Sequence, residues 1–274
     1  MNSGGASPGG ASLTSRAVVG MRVDATSYDD ASERIVRWAS ERRSAYVCVA
    51  NVHMAMEAAE SPEFLRVVGG ADLVTPDGRP LVWALRLLGV KCASQVRGTD
   101  LVAEVSARAA QEGLPVGLYG SKPEVLGELG EELRRRFPGL EVACGISPPF
   151  REITTEEDEE FTRQVAESGA RILFVGLGCP KQERWMAAHQ GRIPAAMIGV
   201  GAAFEFYTGR IPQAPRWMQS AGLEWAYRLY REPRRLWRRY ARHNPRFVAL
   251  LALQLVREYG RFGKKRDEKE GSRG

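Results

Sequence analysis

Short apolar runs that stop at a turn and give way to a helix-period segment recur along the whole chain, and this alternation leaves few architectures open. Strand-like runs fall at residues 17–23, 45–50 (AYVCVA), 71–75, 115–119, 140–145, 171–177 (RILFVGL) and 195–200. Between them lie segments of helical periodicity, such as residues 28–42, where Ile35, Val36 and Trp38 follow Ser27 as N-cap. Pro62 suits the first turn of a second short helix rather than a break in one. The alternation predicts an α/β, Rossmann-like fold with a mainly parallel sheet flanked by helices, followed by a basic helical C-terminal appendage. The expected division is a disordered leader at 1–16, an α/β core at 17–221, the appendage at 222–262 and a disordered tail at 263–274.

With 274 residues and 44% hydrophobic content, the chain can bury a full core. Its formal charge of +6 suits anionic partners without choosing among nucleic acid, phosphorylated substrates and an anionic membrane. Cys48, Cys92, Cys144 and Cys179 contain no CxxC, so neither a zinc site nor a disulfide framework is indicated and a reducing compartment fits. His53, His189 and His243 form no HExxH, and no Asp-x-Asp closes a strand, so no metal site is expected. The Gly/Ser/Ala-rich leader is neither a signal peptide nor a membrane span, and no other stretch reaches the ~18–20 apolar residues a span needs. A soluble or peripheral protein is expected.

Chemistry concentrates where the strands end. The run at 71–75 stops in Pro76-Asp77-Gly78, which puts a carboxylate at a strand's C-terminal end, the edge where open α/β sheets bind ligands. Asp77 is therefore a candidate catalytic base, although Asp before Gly is also ordinary turn chemistry. Asn51 ends the run at 45–50. Arg97 stands with Gly98, Thr99 and Asp100 before a helix, where an anion or a simple capping turn is equally in keeping. Gly176 and Gly178 lead into Cys179-Pro180-Lys181-Gln182; the third glycine of a dinucleotide fingerprint is missing, but the helix start leaves free amides, and Gln182 could supply another. The acidic run 156–160 reads as a solvated first turn.

The C-terminal segment carries arginine at 228, 231, 234, 235, 238, 239, 242 and 246 against the single acid Glu232. At 100° per residue, Arg228, Arg231, Arg235, Arg238 and Arg242 share one helical face, while Trp225, Leu229, Leu236 and Tyr240 share another. Pro233 should break or restart the helix and make that phase approximate. Residues 247–256 (FVALLALQLV) are apolar but too short to span a bilayer. Such a segment suits an anionic membrane surface or closure over a pyrophosphate. Nucleic-acid binding is disfavoured, because no helix-turn-helix, RNP or zinc signature accompanies the arginines.

Several blocks, in order, carry a resemblance: ADLVTPDG (71–78), VRGTDL (96–101), FVGLGCPKQERWM (174–186), GVGAAFEFYTG (199–209), APRWMQ (214–219) and LEWAYRLYREPRRLWRRY (223–240). Across residues 18–247 the chain resembles the WecG/TagA/CpsF family of bacterial glycosyltransferases. The resemblance implies inverting transfer of an N-acetylmannosamine-type sugar from a UDP-sugar to a polyprenyl-diphosphate-linked saccharide, at the cytoplasmic membrane face, in cell-surface polysaccharide synthesis. It implies no cofactor and no metal, the UDP-sugar being a substrate. By position, Asp77 deprotonates the acceptor, Asn51 and Arg97 line the donor pocket, Gln182 contacts donor or acceptor, and Arg228, Arg235 and Arg238 bind diphosphate. Relatives often carry Thr-Ala-Asn where this chain has Val49-Ala50-Asn51, so one threonine contact is missing and the donor sugar is left open. A homo-oligomer is also left open. The competing readings are a nucleotide-dependent oxidoreductase on the same kind of sheet and a non-enzymatic membrane-surface adaptor.

Overall fold

The computed structural model describes residues 13–271; most of the leader and the end of the tail lie outside the described residues. A hairpin replaces the single strand expected at 17–23, with β1 (Ser15–Val18) and β2 (Met21–Asp24) pairing antiparallel. Val19 and Gly20 between them hold φ of 52° and 85°, the sign pattern of a type I′ connection. Valine is a strand former, which hides this turn in the sequence.

Six further strands make one sheet: β3 (Ala45–Ala50), β4 (Leu73–Pro76), β5 (Val116–Gly120), β6 (Val142–Ile146), β7 (Ile172–Gly176) and β8 (Ala196–Gly199). Their order is β4-β3-β8-β7-β5-β6, and every neighbouring pair is parallel. All six residues of β3 are buried, as a strand covered on both faces requires. Its pleat sends Tyr46, Cys48 and Ala50 into one core layer and Ala45, Val47 and Val49 into the other. The first layer is completed by α2 (Val52–Glu60), α3 (Pro62–Gly69), α4 (Arg79–Leu87) and α8 (Lys181–His189). The second is completed by α1 (Tyr28–Ser40), α5 (Gly98–Glu112), α6 (Pro123–Arg136) and α9 (Ala203–Tyr207).

Local signals set these boundaries. The Ser27 side chain accepts the Asp30 N–H to start α1, and Thr154 and Glu157 form a capping box that starts α7 (Thr155–Glu167). Strand β4 is an edge strand. Asp24, buried at the end of β2, accepts the Val74 N–H at 2.8 Å, so the hairpin satisfies the exposed edge and fixes the strand that leads to Asp77.

The appendage consists of α10 (Arg216–Ser220), α11 (Glu224–Arg231) and α12 (Pro233–Gly271). Pro233 restarts the helix, as its missing N–H favours. Leu236 and Phe247 are buried, and Glu60 on α2 accepts from Arg242 at 2.8 Å and also from Arg246. Gln254 donates to the Ala17 carbonyl at 2.7 Å and accepts from the Val19 N–H at 2.9 Å. These contacts fasten α12 to α2 and to the β1–β2 hairpin. No helix of the described residues is long and apolar enough to cross a membrane.

Candidate active site

The carboxyl ends of β3, β4 and β8, with the loop after β7, open into one cleft of about 690 Å³. Asn51, Asp77, Arg97, Gln182, Arg228 and Arg235 all line it. Asn51, Asp77 and Gln182 meet here because a parallel sheet delivers all its carboxyl ends to one edge, and Arg228 and Arg235 are brought over that edge by α11 and α12. The roof comes from α11 and α12.

Asp77 sits one residue past β4, held by its own backbone: its N–H donates to the Ala50 carbonyl at 2.8 Å and its carbonyl accepts from Gln95. Its Oδ1 accepts the Gly98 N–H at 3.0 Å, an amide at the N-terminus of α5. Burial pushes the carboxyl up to about 7, and nearby Glu224 adds to the rise against the opposing pull of the Gly98 N–H, Arg97 and Arg228. A carboxylate in that range can exchange a proton near neutral pH.

The Asn51 side-chain carbonyl accepts the Met54 N–H at 3.2 Å and caps α2, so its NH₂ group is what remains for a ligand. Arg97 is held at its backbone N–H by the Tyr28 hydroxyl at 3.0 Å. Its guanidinium donates to Gln219 and pairs with Asp100 at 3.4 Å and Glu224 at 3.6 Å. The capping side chain expected from Thr99 or Asp100 is absent from α5, because Asp100 faces Tyr28 and Arg97 instead. Gln182 is buried, accepts the Gly178 N–H at 3.1 Å and donates to Glu183 Oε1 at 2.7 Å. A Cβ on Gly199 would come within 2.9 Å of the Gln182 amide nitrogen, so only glycine lets that side chain lie across the end of β8. Behind it, burial pushes the Glu183 carboxyl up to about 7, and its Oε2 has no partner.

The arginine face is arranged differently from the helical phase read in the sequence. Arg228 and Arg235 line the cleft, but Arg238 stands outside it with its guanidinium over the Trp237 ring at 5.5 Å. Arg239 lines the cleft instead, together with Trp225 and Tyr240, which the sequence phase put on the opposite face. The reason is Pro233: α11 and α12 are separate helices, so one 100° wheel does not run through both.

Arg79, Glu224 and Arg239 are lining residues that the sequence reading did not single out. Arg79 follows directly on Pro76-Asp77-Gly78, and Glu224 is a lone acid opening α11, so weak signals were present. Arg79, Arg228 and Arg239 each bury an Nε–H that has no hydrogen-bond partner, and among the described residues none of the three joins an ion pair. Arg228 and Arg239 rest over the rings of Phe206 and Tyr240 at 5.6 and 5.4 Å. Three guanidinium groups with unmet donors in one cleft are built for an anion.

A family model described as Glycosyl transferase WecG/TagA/CpsF family matches residues 16–261. A protein of Bacillus spizizenii named N-acetylglucosaminyldiphosphoundecaprenol N-acetyl-beta-D-mannosaminyltransferase is 32% identical over 200 residues, covering 73% of this chain and 76% of that protein.

Proposed function

Because the chain belongs to the WecG/TagA/CpsF family and is a glycosyltransferase of the hexosyl type, we propose that it moves an N-acetylmannosamine-type sugar from a UDP donor to a polyprenyl-diphosphate-linked saccharide. The observation that carries this reading is the group of unpartnered guanidinium donors from Arg79, Arg228 and Arg239 in the same cleft as the Asp77 carboxylate. The Bacillus spizizenii relative supports the class of donor sugar and lipid-linked acceptor through its name.

The chemistry is a single displacement with inversion. Asp77 takes the proton from the acceptor hydroxyl, that oxygen bonds to the anomeric carbon, and the bond from that carbon to the donor phosphate breaks. Negative charge grows on the departing UDP. Arg79, Arg228 and Arg239, all partly buried, meet that charge where fixed cations act strongly, and Arg235, exposed and paired with Glu232, adds to it from the rim. Asn51 and Arg97 border the donor, and Gln182 offers its remaining amide N–H. Arginine takes the part that a divalent cation plays where a diphosphate is bound through metal. The apolar and cationic surface of the appendage fits work at the inner face of the cell membrane, where the lipid-linked acceptor is held.

Thermal-shift titration with UDP tests this reading. UDP is expected to raise the midpoint in buffer without added magnesium or manganese, and Arg228→Ala and Arg239→Ala to remove the shift. A shift that appears only with added magnesium or manganese contradicts it.

A further inference from the structure

Helices α2 and α12 face each other along a seam that holds a second cluster of side chains. His53 Nδ1 lies 3.2 Å from His243 Nδ1 and 3.7 Å from Glu57 Oε1, and one ligand atom from each residue falls within 4.8 Å of the others. His53 and Glu57 are one helical turn apart on α2, so both point the same way. His243 arrives from 190 residues later, which is why spacing alone shows nothing of the cluster. One N–H···N bond between neutral rings accounts for a single hydrogen and leaves Glu57 aside. One turn on, Glu60 takes Arg242 and Arg246; Glu57 has no guanidinium partner among the described residues and faces two imidazoles instead.

The spacing matches a metal. An ion with tetrahedral bonds of about 2.0–2.1 Å to nitrogen sets neighbouring ligand atoms about 3.3–3.4 Å apart; the two separations from His53 Nδ1, 3.2 and 3.7 Å, bracket that value, and the third, between Glu57 and His243, lies within 4.8 Å, a distance that side-chain rotation closes. Two imidazoles and one carboxylate are a borderline-soft donor set, suited to zinc rather than magnesium or calcium. We propose that His53, Glu57 and His243 form a three-ligand site for a zinc-class divalent ion that fastens the appendage helix α12 to α2. Both histidines border the cleft. The ion holds α12 and does not bridge the donor diphosphate, so the proposal stands apart from the reading of the reaction.

The test uses the full chain produced without a polyhistidine tag. After equilibration with Zn²⁺ and removal of the excess, elemental analysis is expected to find about one ion per chain, and Co²⁺ in its place to give the strong visible absorption of a tetrahedral site. His53→Gln, Glu57→Gln and His243→Ala are each expected to lose the stoichiometric ion, and Zn²⁺ to raise the thermal midpoint of the wild type but not of the variants. His53 is partly exposed, so His53→Gln keeps the test decisive where His243→Ala does not fold. Absence of retained Zn²⁺ in the wild type, or equal retention by the folded variants, overturns the proposal and reduces the pair to a ring-to-ring hydrogen bond.

Discussion

Asp77 and Glu224 share one corner of the cleft with Arg97, so the negative charge of Glu224 raises the proton affinity of Asp77. If Asp77 is the base it must be ionised, and a carboxyl pushed up to about 7 makes activity rise with pH through that value. Glu224→Gln removes a negative neighbour, so the acid limb of the kcat/KM profile is expected to move to lower pH; an unmoved limb counts against the coupling. Stability runs the opposite way. The folded state holds the Asp77 proton more tightly than the unfolded chain, so stability is lost as pH rises from the ordinary carboxylate range to about 7. Asp77→Asn is therefore expected to melt above the wild type at pH 8 and to converge with it at pH 4, which a pair of calorimetric scans checks. For the arginines, truncating Arg79, Arg228 or Arg239 to alanine is expected to lower kcat/KM by about 10²–10³-fold, with Arg238→Ala closer to wild type. Asp77 and Arg228 were legible in the sequence because each stands in a local pattern, a strand end or a helical period. Glu224 and Arg239 were not, because only the closed appendage brings them over the strand ends.

At the scale of elements, the strand alternation was legible almost throughout, since buried parallel strands are short apolar runs bounded by turns. The β1–β2 turn escaped because Val19 carries no turn signature. The phase of the C-terminal arginines failed at a definite point: Pro233 separates α11 from α12, and each helix sets its own rotation about the cleft. Helix α12 packs Phe247 against the core while Val248, Leu253 and Val256 stay exposed. With Trp217, Tyr230 and Trp237 also exposed, the appendage presents aromatic and cationic groups together. Deleting residues from 222 onward is expected to abolish transfer and to end co-sedimentation with anionic vesicles, with circular dichroism reporting whether the core still folds. A folded, truncated chain that still sediments locates membrane binding elsewhere. Binding by the full chain is expected to weaken with salt.

The whole molecule joins two parts that come from distant stretches of sequence. The sheet supplies a carboxylate and backbone amides at its carboxyl edge, and the appendage supplies Arg228 and Arg239, whose Nε–H groups have no hydrogen-bond partner among the described residues. The separate halves were readable in the residues, and their meeting was expected only through the resemblance, because its geometry depends on how α12 seats on α2 and on the β1–β2 turn. The most direct measurement is transfer of labelled sugar from a panel of UDP-N-acetylhexosamines to a polyprenyl-diphosphate-linked N-acetylglucosamine, comparing the wild type with Asp77→Asn in buffer without added magnesium or manganese. The wild type is expected to transfer with inversion, and Asp77→Asn to lose about 10²–10⁴-fold in rate while still binding UDP. Transfer by Asp77→Asn at the wild-type rate contradicts the role assigned to this carboxylate, and wild-type transfer that requires the added metal contradicts the role assigned to the arginines.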